Sequence, residues 1–397
     1  MPIPTPFHPR TAALCETNDW RTWSGYMAPT SYQYAWEREY WAVRNSAGLL
    51  DVSPLFKYEI VGPEAARLLQ RVMTRDMRTC KVGQVLYSPW CDENGDMIHD
   101  GNIVRVAADR FRVTTADPML RWFEDCGYGI DVQVRDISTE MAALALQGPN
   151  ARKVLQAATD TDWDTLRYFR HAPAQIDDVD IEVTRTGFTG DLGYELWLPS
   201  QHAVQIWDRL MAAGAPYGLL PMGLGVLDML RVEAGLLLIE VDYISAHHAV
   251  IDAQKSSPLE AGLGWAVKWD KGDFVGRRAL AAQHAAGPEW ALVGLAVPWM
   301  ELERLWGGVD LRPTVVGRGT SRLAVPVCQN GVQVGQATSH LYSPLLKQYI
   351  ALATVKRAAA TLGARLELEM TVEYSRQWAR AEVVGLPFFE TERKKRL

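Results

Sequence analysis

The 397-residue chain reads as an α+β protein with antiparallel sheets, followed by a separate all-β domain. Three observations carry that reading. Strand-like and helix-like segments follow one another in mixed order up to about residue 285. Asp92-Glu93-Asn94-Gly95 is a hairpin-type turn between two strand patterns. From about residue 290 the chain turns into short strands separated by turns.

In order along the chain, residues 1 to 50 begin irregularly, with Trp23, Tyr26, Pro29, Tyr32, Tyr34 and Trp36, and a helix is expected over about 34–46. Residues 47–53 read as a turn into a strand, and alternation makes 57–61 a strand. Gly62-Pro63 starts a helix whose Ala65, Leu68, Leu69 and Val72 share a face. Strands are expected over 84–91, 97–106 and 111–115, and a helix over 120–126. Residues 142–146 form a strand, and Gly148-Pro149-Asn150 turns into a helix over 151–157. Two amphipathic helices follow, over 204–214 and 224–235. Residues 240–258 read as an irregular polar loop, long enough for a lid, and 262–267 as a strand. In the last domain the one expected helix lies near 343–355.

Composition narrows the function classes. A hydrophobic share of 48% with 22% charged residues is ordinary for a soluble globular protein. The net charge of −6 argues against a nucleic-acid binder, and the basic stretch Arg393 to Arg396 reads as a solvated tail. Five scattered cysteines without a Cys-x-x-Cys suggest reduced thiols and a cytoplasmic location, not a zinc site. No apolar run approaches ~20 residues, so no membrane partner is expected. His247 and His248 are adjacent and face apart on any regular element, so no metal is expected there with Asp252. No Gly-x-Gly-x-x-Gly follows a strand, which excludes a dinucleotide domain.

The stretch from Arg185 to Trp197 stands out. Ile181, Val183 and Arg185 alternate as in a strand, and Gly187, Gly190 and Gly193 then fall three residues apart. Such glycines mean tight bends or a backbone very close to something else. Strand spacing resumes at Tyr194, Leu196 and Leu198, with Glu195 on the opposite face. Read alone, this is a hairpin with an exposed glutamate, or a carboxylate suited to a flat ligand with several N–H donors.

The stretch resembles the signature of the glycine-cleavage T-protein family, folate-dependent aminomethyltransferases, with Asp191 where the family usually has Glu. Similar matches occur at 47–53, at 230–235, at 271–277 and in the C-terminal region at 331–335 and 338–344, so the resemblance runs from about Trp23 to Lys356. It implies a three-domain clover leaf: two mixed α+β domains with antiparallel sheets and a C-terminal β-barrel around a folate channel. The expected division is 1–140, interleaved with the next part, then 141–285 carrying the signature, then 286–397.

The resemblance also nominates site residues. Glu195 matches the acid that binds the pterin ring of tetrahydrofolate, and Tyr194 stands beside it. Asp100 matches the aspartate near the reactive folate nitrogens, with Tyr87 thirteen residues earlier across the hairpin. His99 replaces the first of two usual aspartates and is either a proton donor or a ring on the opposite face of the strand. Arg231 is a ligand contact or a structural ion pair. Trp265 matches an aromatic beside the pterin. Leu227 replaces an arginine usual in the aminomethyltransferases.

The expected activity is that of a tetrahydrofolate-dependent methyltransferase acting as a demethylase. Asp100, Tyr87 and His99 would be catalytic, and the methyl donor a free small molecule such as a methoxylated aromatic acid, a betaine or a thioether. The alternative is a glycine-cleavage aminomethyltransferase partnered by a lipoyl carrier protein. A non-catalytic relative of the iron–sulfur assembly type is disfavoured, because Asp273 stands where that type carries cysteine.

Overall fold

A computed structural model describes residues 1–314 and 319–396. Its first sheet has six strands in the order His171–Ile176, Val179–Thr184, Gly193–Pro199, Met141–Gln147, Ala47–Asp51 and Leu219–Pro221. Every pairing is antiparallel except the last. A second, fully antiparallel sheet has five strands, Val85–Cys91, Met97–Ala107, Arg110–Thr115, Phe56–Val61 and Gln133–Asp136. The third unit is a closed barrel of Trp290–Val297, Gln348–Lys356, Val332–Ser343, Val325–Gln329, Arg365–Val372 and Ser375–Val384.

The two sheets interleave by insertion. Residues 56–136 build the five-stranded sheet and are spliced between two neighbouring strands of the six-stranded one. A boundary at residue 140 therefore leaves strand Ala47–Asp51 on the wrong side, since it pairs with Met141–Gln147.

Strand alternation decides what each sheet face does. In Met141–Gln147, Ala142, Leu144 and Leu146 pack under helices Ala151–Ala158 and Ala203–Gly214, together with Trp163, Trp207 and Tyr194. Ala143 and Ala145 point the other way, into a cluster shared with Leu50, Trp197, Cys91 and Met97. The far face of the five-stranded sheet is closed by helices Ala65–Val72 and Leu120–Cys126 over Tyr58, Trp90, Ile103 and Phe111. The two sheets thus face each other, and small alanines line part of one inner face.

Helix Leu224–Glu233 joins all three units. Its Val226, Met229 and Leu230 enter the inter-sheet cluster beside Leu341, Ile350 and Leu352 of the barrel. Its last residue, Glu233, is fully buried and accepts hydrogen bonds from Tyr40 and Ser343 at 2.6 Å each and from Arg44.

The glycines of the 185–197 stretch have distinct physical causes. A Cβ on Gly187 or Gly193 would lie 2.1 or 2.3 Å from the buried Gln147 amide, and Gly190 has φ +75°. The close approach is to the protein's own Gln147, whose Oε1 accepts from Thr189 at 2.9 Å.

Several expectations change. The expected helix near 343–355 is barrel strand Gln348–Lys356, an apolar run hydrogen-bonded on both sides. Helices Arg277–Ala286 and Trp299–Gly307 were not anticipated, and 262–267 holds a 3-10 turn at Gly264–Ala266 instead of a strand. Among the described residues no helix is long and apolar enough to cross a membrane.

Nor is the basic end a solvated tail. Arg393 grips Asp191 with a two-bond fork of 2.6 and 2.8 Å, and Arg185 donates to the carbonyls of Arg393 and Lys394. Asp191 is wholly buried at its side chain, so its charge depends on this fork and on Arg44, 3.8 Å away. Replacing Arg393 by alanine should destabilise the fold by about 1–3 kcal/mol, less than a fully buried pair because Arg393 is itself partly exposed. Urea unfolding measures this, and an unchanged midpoint would mean that the tail contributes nothing.

Candidate active site

Asp100 lies on strand Met97–Ala107, on the face turned toward the six-stranded sheet. Tyr87 pairs in register with Asn102, so it reaches Asp100 diagonally, donating to Oδ2 at 2.8 Å. Tyr243, from the loop after helix Leu224–Glu233, donates to Oδ1. Burial, reinforced by the charge of Asp100, pushes both phenols well above their usual pKa. They therefore stay protonated and act as donors. Each Asp100 oxygen keeps a second lone pair for another partner.

Glu195 looks in from the facing sheet. It pairs with Thr184 across the hairpin and with Ala145 on the other side. Its Oε2 accepts from Thr186 at 2.6 Å and Thr184 at 3.4 Å. Among the described residues no donor reaches Oε1. Burial pushes the carboxyl upward, against the lowering effect of the two threonine hydroxyls. The side chain keeps some accessible surface although protein surrounds it, which places it on an internal space rather than in packed core.

Trp265 is 54% exposed at the rim. Its ring stacks on Tyr87 at 6.0 Å and 20°, and the Arg75 guanidinium lies 5.4 Å from it.

Three nominated residues do not belong to the site. His99 is 2% exposed and points to the opposite face, stacked on Trp90 at 5.2 Å. Its Nε2 accepts from the backbone N–H of Ala116 and Asp117 at 3.1 and 3.0 Å, and its Nδ1 meets the backbone of Asp100, whose N–H lies at 2.7 Å. Burial lowers its pKa, so the ring is neutral and structural. Tyr194 is fully buried on the helix-covered face, edge-on to Trp163, because it alternates with Glu195. Arg231 is 1% exposed and committed to Asp228 at 2.8 Å, Ser339 at 2.6 Å and Asp242. Its guanidinium ties the helix to the barrel.

Sequence reasoning missed Tyr243, Thr184, Thr186 and Arg112. Nothing local marks Tyr243, a lone aromatic in an irregular loop. Thr184 was legible in principle, since a hairpin through the glycines sets it opposite Glu195. Of the adjacent histidines, His247 packs edge-on to Trp122. His248 meets Glu240 at 3.0 Å and Asp117 at 3.8 Å, where one ligand atom from each of the three lies within 4.8 Å of the others. Asp252 instead pairs with Lys255 at 2.8 Å.

Arg112 bridges the two sheets. It pairs with Glu182, and its guanidinium sits 4.5 Å from the Trp197 ring centroid. Burial pushes the Glu182 carboxyl up, but His171, with Nε2 at 3.4 Å, and Arg112 outweigh it and hold it at about 2.

Comparison with known proteins is consistent along the chain. The GCVT N-terminal domain matches residues 8–271, and the glycine cleavage T-protein C-terminal barrel domain matches 311–390. An aminomethyltransferase of Halothermothrix orenii is 35% identical over 368 residues, covering 92% of this chain and 94% of that protein. One from Moorella thermoacetica is 36% identical over 374 residues, covering 93% of each. The crystal structure of glycine cleavage system aminomethyltransferase T from Bartonella henselae superposes with a TM-score of 0.82 at 25% identity, over 98% of each chain.

The Arg112–Glu182 pair is testable without any substrate. A carboxyl lowered in the folded state stabilises fully above its unfolded pKa and loses that contribution as pH falls through the folded value. Glu182→Gln should therefore cost roughly 3 kcal/mol at pH 7, and the difference from the unaltered protein should shrink between about pH 4.5 and 2. Urea unfolding at several pH values reads it. A pH-independent difference would assign the effect to packing.

Proposed function

Because the chain belongs to the glycine-cleavage T-protein family of tetrahydrofolate-dependent transferases, we propose that it transfers a one-carbon unit from an aminomethyl carrier to tetrahydrofolate. The observation that supports this most is Asp100, held between the hydroxyls of Tyr87 and Tyr243 and facing the sheet that carries Glu195.

The residues fit a pterin. Glu195 offers an oxygen that no described side chain uses, in a partly open internal space, which suits a ring edge bearing N–H donors. Trp265 and Tyr87 offer a flat aromatic stack beside Asp100. Tetrahydrofolate, when bound, supplies the nitrogen atoms that accept the one-carbon unit. Asp100 holds or passes a proton at Oδ1 or Oδ2, with its orientation fixed by two phenol donors that cannot themselves serve as bases near neutral pH. Tyr243 fastens its loop across the space, which limits water at the reacting atoms.

The demethylase reading is second. Its support from His99 is gone, because that ring faces the helices. What still favours it is Leu227, an apolar residue packed against the inter-sheet cluster where aminomethyltransferases usually have an arginine. Incubation with tetrahydrofolate and either an aminomethylated lipoyl carrier protein or a panel of methoxy-, methylthio- and methylamino-compounds separates the readings. The aminomethyltransferase reading expects 5,10-methylenetetrahydrofolate with the carrier only. Formation of 5-methyltetrahydrofolate from a free small molecule would overturn it in favour of the demethylase.

Two substitutions divide binding from chemistry. Glu195→Gln turns an acceptor into a donor and should weaken tetrahydrofolate binding by ~2–4 kcal/mol, as read by calorimetry, with the fold intact. Asp100→Asn keeps the shape and loses the charge, so kcat should fall ~10²-fold or more while binding changes less. Equal losses in both quantities would make Asp100 an anchor instead.

A further inference from the structure

We infer that Arg75 binds a carboxylate of the glutamate tail of tetrahydrofolate, at the rim of the site beside Trp265; the inference rests on the folate reading above. The backbone N–H of Arg75 donates to Ser88 Oγ at 3.2 Å, which fixes the residue beside strand Val85–Cys91. Its side chain is half-buried, keeps accessible surface, and brings the guanidinium to 5.4 Å from the Trp265 ring centroid. Among the described residues this guanidinium has neither an acid partner nor a hydrogen-bond acceptor. The next residue, Asp76, is taken by Arg78, which forks it at 2.9 and 2.8 Å. Burial pushes the Arg75 pKa down, opposed only by the Cys80 thiol. A partly desolvated cation without a counter-ion is destabilised, and a carboxylate arriving from outside the protein relieves it.

Arg75 stands at the outer end of a chain of contacts that begins inside the site. Asp100 accepts from the Tyr87 hydroxyl at 2.8 Å, the Tyr87 ring stacks on Trp265, and Arg75 lies against Trp265. Strand Val85–Cys91 is the outer strand of its sheet, so past Tyr87 the inner face ends. Trp265, 54% exposed, and Arg75 form its border with solvent. Tetrahydrofolate carries its groups in a matching order: a pteridine with the reactive nitrogens, a p-aminobenzoyl ring, then a glutamate with its carboxylates. With those nitrogens at Asp100, the benzoyl ring leaves alongside Tyr87 and Trp265, which offer it flat aromatic surface. The carboxylates then follow at the cation. A guanidinium can take a carboxylate through two parallel N–H bonds while its plane stays against an indole. Deeper in the site a carboxylate is disfavoured, because Asp100 and Glu195 already stand there.

The experiment is equilibrium binding, by calorimetry, of tetrahydrofolate and of the diamide of its glutamate tail to the unaltered protein, to Arg75→Met and to Arg75→Lys. The two compounds share the pteridine and the benzoyl ring, so contacts at Glu195, Asp100 and Trp265 cancel in the ratio of their affinities. No one-carbon donor is present, so a donor carboxylate contributes nothing. The unaltered protein should prefer the acid by about five- to tenfold at low salt. That preference should shrink as ionic strength rises. Arg75→Met should bring the ratio close to one by weakening the acid alone. Arg75→Lys should keep part of the preference, since lysine supplies the charge without the fork. If Arg75→Met does not fold, Arg75→Gln takes its place. A ratio unchanged in the uncharged variant, or equal binding of both compounds by the unaltered protein, overturns the inference and leaves the folate reading intact. Failure of the unaltered protein to bind either compound sinks the folate reading and this inference together.

Discussion

Helix Leu224–Glu233 carries three charges out of water, Asp228, Arg231 and Glu233, and the arrangement of the three units depends on how the last two are met. Arg231 is satisfied by Asp228 on its own helix, by Asp242 beyond it and by Ser339 of the barrel. Glu233 is satisfied by Tyr40 and Arg44 from helix Glu37–Asn45 and by Ser343 of the barrel. A buried charge deprived of a partner is far costlier than one left in solvent. Each partner must therefore arrive together, which fixes the helix against the six-stranded sheet and the barrel at once. Leu230 and Met229 enter the inter-sheet cluster from the same turns. The space between the sheets is thus bounded by a helix whose position is set by charge rather than by apolar packing alone.

That space owes its character to side-chain alternation. Each inner strand sends one set of residues to a helix-covered core and the other toward the facing sheet. On one strand this separates Tyr194 from Glu195, and on another His99 from Asp100. The inward set is small or polar where a ligand would sit: Ala143, Ala145, Thr184, Glu195, Asp100. Its charges are oriented by neutral donors, two threonine hydroxyls for Glu195 and two phenols for Asp100. Neutral donors hold a carboxylate in direction without cancelling it, which leaves both acids able to act on something else. The folded C-terminus belongs to the same design. Arg393 braces Asp191 in the glycine stretch that delivers Glu195, so the last residues of the chain steady a site formed some two hundred residues earlier.

Much of this was legible in the sequence. Alternation placed the strands around Tyr87, Asp100 and Glu195, and the turn at Asn94-Gly95 brought the first two to adjacent strands. The glycines at 187, 190 and 193 announced a backbone under steric constraint. Where reading failed, the competing interaction was non-local. The run from Tyr349 to Val355 is apolar on both faces, and only pairing with two neighbouring strands makes it a strand. Arg393 to Lys395 look like a solvated charge run until Asp191 and Glu390 are seen opposite them.

By itself the sequence determined the local periods, the turn chemistry and which acids stand on strands, because those follow from neighbours a few residues apart. It settled the α+β class and a separate all-β domain at the end; the barrel and the choice of Asp100 and Glu195 as site carboxylates came from the family resemblance carried by the 185–197 stretch and its companions. Tertiary structure decided which partners those carboxylates have and which nominated groups are spent elsewhere. Tyr243 reaches Asp100 from 143 residues away, Arg112 reaches Glu182 across two sheets, and Arg231 is consumed by the barrel. No local pattern encodes such meetings. They follow from how two sheets and a barrel bury their faces against one another, and from the cost of leaving a buried donor or charge unmatched.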